Sequence, residues 1–176
     1  MISVRDKIAA CLLALLLLST TWAQPRRDPL TPGEIDELRD AAQEPEARLK
    51  LFIKFARARL DSIEQIRADP KVTDRAQQTH DRLRDFLDVY DELNDNIDTF
   101  VERRSDLRKP LKALIEVDTE FQSKLRALKD AADANKNEAT QYEFLLNSAL
   151  DTVDSSVQDH RQLLVEQEAA AKRKKK

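Results

Sequence analysis

Residues 83 to 128 carry one apolar seam through seven consecutive heptads. With Leu83 at position a, the d positions are Phe86, Leu93, Phe100, Leu107, Leu114, Phe121 and Leu128, all apolar. The a positions are Leu83, Tyr90, Ile97, Arg104, Leu111, Asp118 and Leu125, so only Arg104 and Asp118 interrupt the pattern. Apolar residues recurring every 3.5 positions make a helix with one stripe that must be buried against another helix. The expected fold is therefore all-α: an antiparallel helical bundle or coiled coil of three to four long helices, with the seam as its main packing and interaction surface. Arg104 and Asp118 either specify register or partner, or face solvent. Solvent is favoured, because a polar group in an apolar seam is destabilising unless it is paired.

Glycine usage narrows the fold further. The chain holds a single glycine, Gly33. Strand-rich folds need glycine at hairpins and bulges, and nucleotide-binding loops need it where backbone approaches phosphate, so both are excluded as leading readings. With 36% charged and 5% aromatic residues, the composition is that of long, solvated helices.

At the amino terminus, Arg5 and Lys7 precede an apolar run from Ile8 to Leu18, followed by Thr21-Trp22-Ala23. This is the pattern of a secretory signal peptide, residues 1–23, cleaved after Ala23. The run is too short to cross a bilayer core of about 30 Å as a helix; a retained membrane anchor is the alternative. Ile8-Ala9-Ala10-Cys11 is similar to a bacterial lipobox, but most of the apolar run lies after the cysteine, where a lipobox would have it before. Cleavage removes Cys11, the one cysteine, and with it any thiol or disulfide chemistry. No Asn-X-Ser/Thr acceptor occurs, which leans the secreted or periplasmic assignment towards a bacterial envelope.

Residues 24–30 read as a flexible leader, with Pro25 and Pro29 flanking Arg26-Arg27-Asp28. Residues 31–171 form the helical domain. Thr31-Pro32-Gly33-Glu34 is a capping box with proline at N1, opening a helix to about Gln43 whose short face is Ile35, Leu38 and Ala42. Pro45 opens a second helix with Leu49, Phe52, Ile53, Ala56, Leu60, Ile63 and Ile66 on one face, ending before Asp69-Pro70. Thr73 is placed as the cap of the third helix, and the short connection makes helices two and three antiparallel. Facing residues then sum to about 142, pairing Leu49 with Leu93, Phe52 with Tyr90 and Ala56 with Phe86. Charge agrees with this register, since residues 47–59 carry Arg48, Lys50, Lys54, Arg57 and Arg59 and residues 81–98 are rich in Asp and Glu.

Pro110 leaves two architectures. The third helix either kinks there or ends near Arg104 and turns back. The seam keeps phase across the proline, and residues 101–113 lack the glycine or asparagine that usually closes a helix, so a kinked continuous helix from about 74 to 133 is favoured, some 90 Å long at about 1.5 Å per residue. A break at Asp133 to Asn137 precedes a final helix from Glu138, with Tyr142, Leu146, Ala149, Val153, Val157, His160, Leu164 and Gln167 on one face.

No reaction chemistry stands out. The histidines, His80 and His160, lack the Glu-X-X-His and His-Glu-X-X-His spacings of metal-binding helices, and packed or surface histidine is the simpler assignment for both. The acids of the third helix lack the central glycine of a calcium loop, and no glycine elbow frames a serine. No catalytic residue, metal ligand or cofactor is expected, and no small-molecule substrate is evident. The chain ends on Lys172, Arg173, Lys174, Lys175 and Lys176, a basic tail on an acidic body. The signal peptide carries a net +1 and the tail +5, so residues 24–171 stand at −9 where the whole chain stands at −3. The functional expectation is a secreted or periplasmic, non-enzymatic interaction or structural protein, self-associating through the seam or binding an envelope protein. Its tail is expected to hold it to an anionic membrane surface, where each cation contributes about 1 kcal/mol. Nucleic acid is not expected as a partner. A ligand- or metal-carrying helical bundle, with His160 and nearby acids as its site, is the alternative.

Overall fold

A computed structural model describes residues 28–174. Residues 1–23, expected to be a signal peptide, residues 24–27 of the expected leader, and the last two lysines, Lys175 and Lys176, lie outside the described residues. Every regular element among the described residues is helical: α1 (Pro32–Asp40), α2 (Pro45–Ala68), α3 (Arg75–Glu102), α4 (Arg108–Ala134), the short α5 (Lys136–Ala139) and α6 (Glu143–Lys174). Among the described residues, no helix is long and apolar enough to cross a membrane.

The capping box that opens α1 is present. Thr31 Oγ1 accepts from the Glu34 amide at 3.3 Å, and Glu34 Oε2 accepts from the Thr31 amide at 2.8 Å. α1 ends at Asp40, earlier than Gln43, and buries Leu38. α2 holds it down with cations. Arg59 forks onto Glu34 at 2.6 and 2.7 Å and donates to the Pro29 carbonyl, Lys54 pairs with Glu37, and Arg48 donates to both the Leu38 carbonyl and Asn96. The expected α2–α3 register holds, since Arg48 and Asn96 sum to within two of the expected value and all six residues expected to face one another are buried. The ion pairs differ. Arg57 forks onto Glu120 of α4 and Lys50 pairs with Glu46 of its own helix, while the charge of Asp85 on α3 still acts on Arg59. Asp74, and not Thr73, stands at the N-cap of α3.

The principal correction concerns Pro110. α3 and α4 are two helices joined by a tight reversal at residues 103–107. Arg104 adopts the left-handed conformation, φ 58°. Its amide bonds the Val101 carbonyl at 2.9 Å, and the Ser105 amide bonds the Phe100 carbonyl at 3.0 Å. This is the Schellman closure of a helix, usually built on glycine. Gln167 of α6 completes the turn by accepting from the Leu107 amide at 2.8 Å and donating to the Ser105 carbonyl. Asp106 accepts from the Arg108 amide. Pro110 falls in the first turn of α4, where its missing amide proton would have found no helical partner.

The seam keeps phase because it folds on itself. Tyr90 meets Asp118, and Phe86 meets Phe121 with ring centroids 5.5 Å apart, so facing positions sum to 207 or 208. Position a faces a, d faces d, and Arg104 is the centre of the mirror. By the same register Leu93 faces Leu114, Ile97 faces Leu111 and Phe100 faces Leu107. All twelve apolar seam residues are buried, none more than 8% exposed. α2 runs parallel to α4, with paired residues 60 to 63 apart in sequence (Arg57–Glu120, Lys124–Asp61, Lys124–Glu64). α6 runs antiparallel to α4 (Lys112–Glu168, Lys129–Glu143) and parallel to α3. α2 and α6 each pack alongside both α3 and α4, which therefore sit at opposite corners and meet only through side chains across the core. The last break is sharper than expected. Asn135 caps α4, α5 makes a single turn, and α6 starts at Glu143 after the buried Tyr142.

Two outcomes follow from these contacts. Arg104→Gly should raise stability by about 0.5–1 kcal/mol in urea unfolding, because glycine takes the left-handed conformation without strain; in a continuous helix the same change would lower it by about 1 kcal/mol. The second concerns acid. Burial tends to raise the Glu34 carboxyl pKa, but the bonds from Arg59 and Thr31 outweigh it and hold the pKa below its ordinary value. A carboxylate depressed in the folded state contributes stability that is present above its unfolded value and lost as pH falls through the folded one. Glu34→Gln should thus cost about 2 kcal/mol at pH 7, a cost that shrinks as pH falls through the lowered pKa of the folded carboxyl, with thermal melts of both proteins from pH 7 downward as the check.

Candidate functional site

Near the middle of the helices the apolar core is crossed by one polar layer. Asp118 stands at a seam position and is 0% exposed, so it does not face solvent as the pattern suggested. Its Oδ1 accepts from the Tyr90 hydroxyl at 2.8 Å, and its Oδ2 lies 2.8 Å from His160 Nδ1. The other imidazole nitrogen lies 3.1 Å from Asn94 Oδ1, while Asn94 Nδ2 donates to Ser156 at 3.1 Å. Asp118 of α4 and Asn94 of α3 thus hold the two ring nitrogens from opposite sides, and the imidazole bridges the three helices. Burial, with the charge and hydrogen bond of Asp118, pushes the Tyr90 phenol far above its ordinary pKa and keeps it a neutral donor.

Three helices position the layer. Tyr90 and Asn94 lie one turn apart on α3, Asp118 faces them from α4, and Ser156 and His160 lie one turn apart on α6. Tyr90 stacks against Phe86 and meets the edge of Phe121, which fixes its ring. The layer opens on one side into a groove of about 280 Å³ between α3 and α6, lined by Asn94, Ser156 and His160 together with Ile97, Asp98, Val101, Asp159 and Leu163. His160 is only 4% exposed at its inner wall. A second groove, of about 240 Å³ and more apolar, runs between α2 and α4 over Leu60, Ile63, Leu125 and Leu128.

His80 lies far from this layer, near the start of α3, beside Asp81 and Arg84. The two histidines are therefore not brought together, and among the described residues no three His, Cys, Asp or Glu side chains converge as a metal-binding group. Arg104, the other polar seam residue, is exposed at the turn. Of the tail, Lys172 and Arg173 are exposed on the last turns of α6, which continues to Lys174. The missed feature was the Tyr90–Asp118–His160 layer. Its signal was present in the sequence: Tyr90 and Asp118 are both a positions equidistant from Arg104, and His160 interrupts an otherwise apolar face. Compared with known protein families, characterised proteins and solved structures, the chain gives no match.

The layer makes an asymmetric prediction. His160→Leu leaves Asp118 buried with Tyr90 as its remaining partner and should cost about 3–5 kcal/mol, whereas Tyr90→Phe removes one hydrogen bond and should cost about 1–2 kcal/mol. Denaturant midpoints of the two variants compared with the parent measure both, and near-equal losses would mean that Asp118 does not depend on the imidazole.

Proposed function

We propose that the protein is a non-enzymatic helical protein of the secreted or periplasmic space, held to an anionic envelope surface by its basic C-terminus. The observation that carries this reading is the exposure of Lys172 and Arg173 on the last turns of α6, at the end of a body that is otherwise acidic. Concentrating cations at one end of an anionic molecule gives it one orientation in which approach to anionic headgroups is favourable. The seam's twelve apolar side chains are used inside a single chain, so a dimer made through them requires α3 and α4 to part or exchange. Contacts with an envelope partner are therefore assigned to the charged exterior. Removing residues 172–176 should reduce co-sedimentation with anionic vesicles at low salt by at least tenfold, and raising salt to physiological strength should weaken the parent in the same direction. Equal binding by the two forms would dismiss the tether.

A second reading, a ligand-carrying helical bundle, rests on the groove beside Asn94, Ser156 and His160. A small polar ligand seated there raises the melting temperature by mass action and loses that effect in a Ser156→Leu variant. The same melts with added divalent metal test the metal-carrying form of this reading.

A further inference from the structure

The fold places a second set of cations beside the tail. Between Arg103 and Lys112 the chain holds five cations, Arg103, Arg104, Arg108, Lys109 and Lys112, and one acid, Asp106. Gln167, through its bonds to Ser105 and Leu107, fixes α6 against this turn. Lys172 follows five residues later on the same helix, so it rises only about 8 Å past the turn, within one screening length at physiological salt. Three of the five turn cations have nearby acids: Arg108 pairs with Asp106, Lys109 with Glu46 and Lys112 with Glu168. Arg103 and Arg104 are exposed, as are Lys172 and Arg173, and Lys172 lies close enough to Glu168 for its charge to help lower that carboxyl's pKa. Glu102 and Glu166 offset part of this charge.

Two of the three large apolar side chains exposed among the described residues lie at this end as well. Val101 is 37% and Val165 66% exposed, and the parallel register of α3 and α6 sets them at one level, just behind the basic rim. Cations with apolar side chains behind them suit a headgroup layer more than a nucleic-acid backbone, which the acidic body also repels.

We infer that the α3–α4 turn and the C-terminal end of α6 form one basic end that seats the molecule end-on against anionic lipid headgroups. This rests on the tail tether proposed above and adds Arg103 and Arg104 to it. The test uses the chain from Gln24, which contains every described helix, and compares it with forms ending at Ala171, carrying Arg103→Ser and Arg104→Gly, or carrying both changes. A control form carries Lys71→Ser and Lys136→Ser, which remove two exposed cations at the opposite end of the helices. Arg104→Gly relieves a left-handed arginine, so the turn variant keeps its fold, and circular dichroism verifies that.

With phosphatidylglycerol-containing vesicles at low salt, the turn variant should bind about 30-fold more weakly, the loss that two interfacial cations predict. The opposite-end control should bind as the parent does, and vesicles of phosphatidylcholine alone should bind none of the proteins. Normal binding by the turn variant alongside loss in the truncated form overturns the shared end and leaves the tail tether standing. No binding by the parent overturns both. Equal weakening in the opposite-end control reduces the effect to net charge and overturns the localised surface. Binding to single-stranded DNA as tight as to the vesicles at the same salt overturns the lipid assignment.

Discussion

The facing of α3 against α4, a to a and d to d about Arg104, is the constraint on which the other contacts depend. Each large apolar side chain buried in that seam is worth about 1.5–3 kcal/mol, and twelve of them are buried together. None of this is available to an isolated amphipathic helix. The reversal at 103–107 closes the seam, and the Schellman bonds with Gln167 keep the reversal tight without glycine. α2 and α6 then cover the open flanks, each alongside both seam helices. α1 is too short to persist alone, and it is fixed by cations of α2 as much as by Leu38.

Within this frame the Tyr90–Asp118–His160 layer performs a different task from the apolar layers around it. Leucine and phenylalanine tolerate sliding past one another, since any apolar neighbour will serve. A buried carboxylate does not, because a shift of one heptad takes it away from its imidazole and leaves a charge without a partner, at a cost of several kcal/mol. A paired polar group at one seam position is the device by which helical seams select register. The layer adds less to stability than a well-packed apolar substitute could, and it sets which residues of α3, α4 and α6 are allowed to meet. It also brings Asn94, Ser156 and His160 to the wall of a surface groove.

Charge on the exterior is arranged by a separate logic. The cations of α2 are drawn to acids on α1, α4, α5 and α2 itself, and apart from the largely buried Arg59–Glu34 pair these contribute little individually. At the end of the molecule formed by the α3–α4 turn and α6, cations outnumber the acids available to pair with them. That imbalance follows from a helix terminus and a turn being brought together, and it is the feature on which the proposed approach to an anionic surface rests.

Composition and periodicity alone determined that the chain is helical, which apolar residues of the seam face inward, and where α1, α2 and α3 begin to within about a residue. The single glycine, the 3.5-residue repeat and the Thr31–Glu34 box act over a few residues, so a linear reading captures them. The seam phase did not reveal that α3 and α4 are separate. A reversal centred on an a position leaves the heptad count unbroken, and Arg104 carries the left-handed conformation that glycine or asparagine would have announced. The partner of Asp118 lies 42 residues away on α6, and no local pattern links the two, so only the packing of three helices could turn an apparent defect in the seam into a buried, hydrogen-bonded carboxyl. The same holds for the basic end. Arg103 and Lys172 are remote in sequence and come to the same end of the molecule because Gln167 fixes the last helix to the turn.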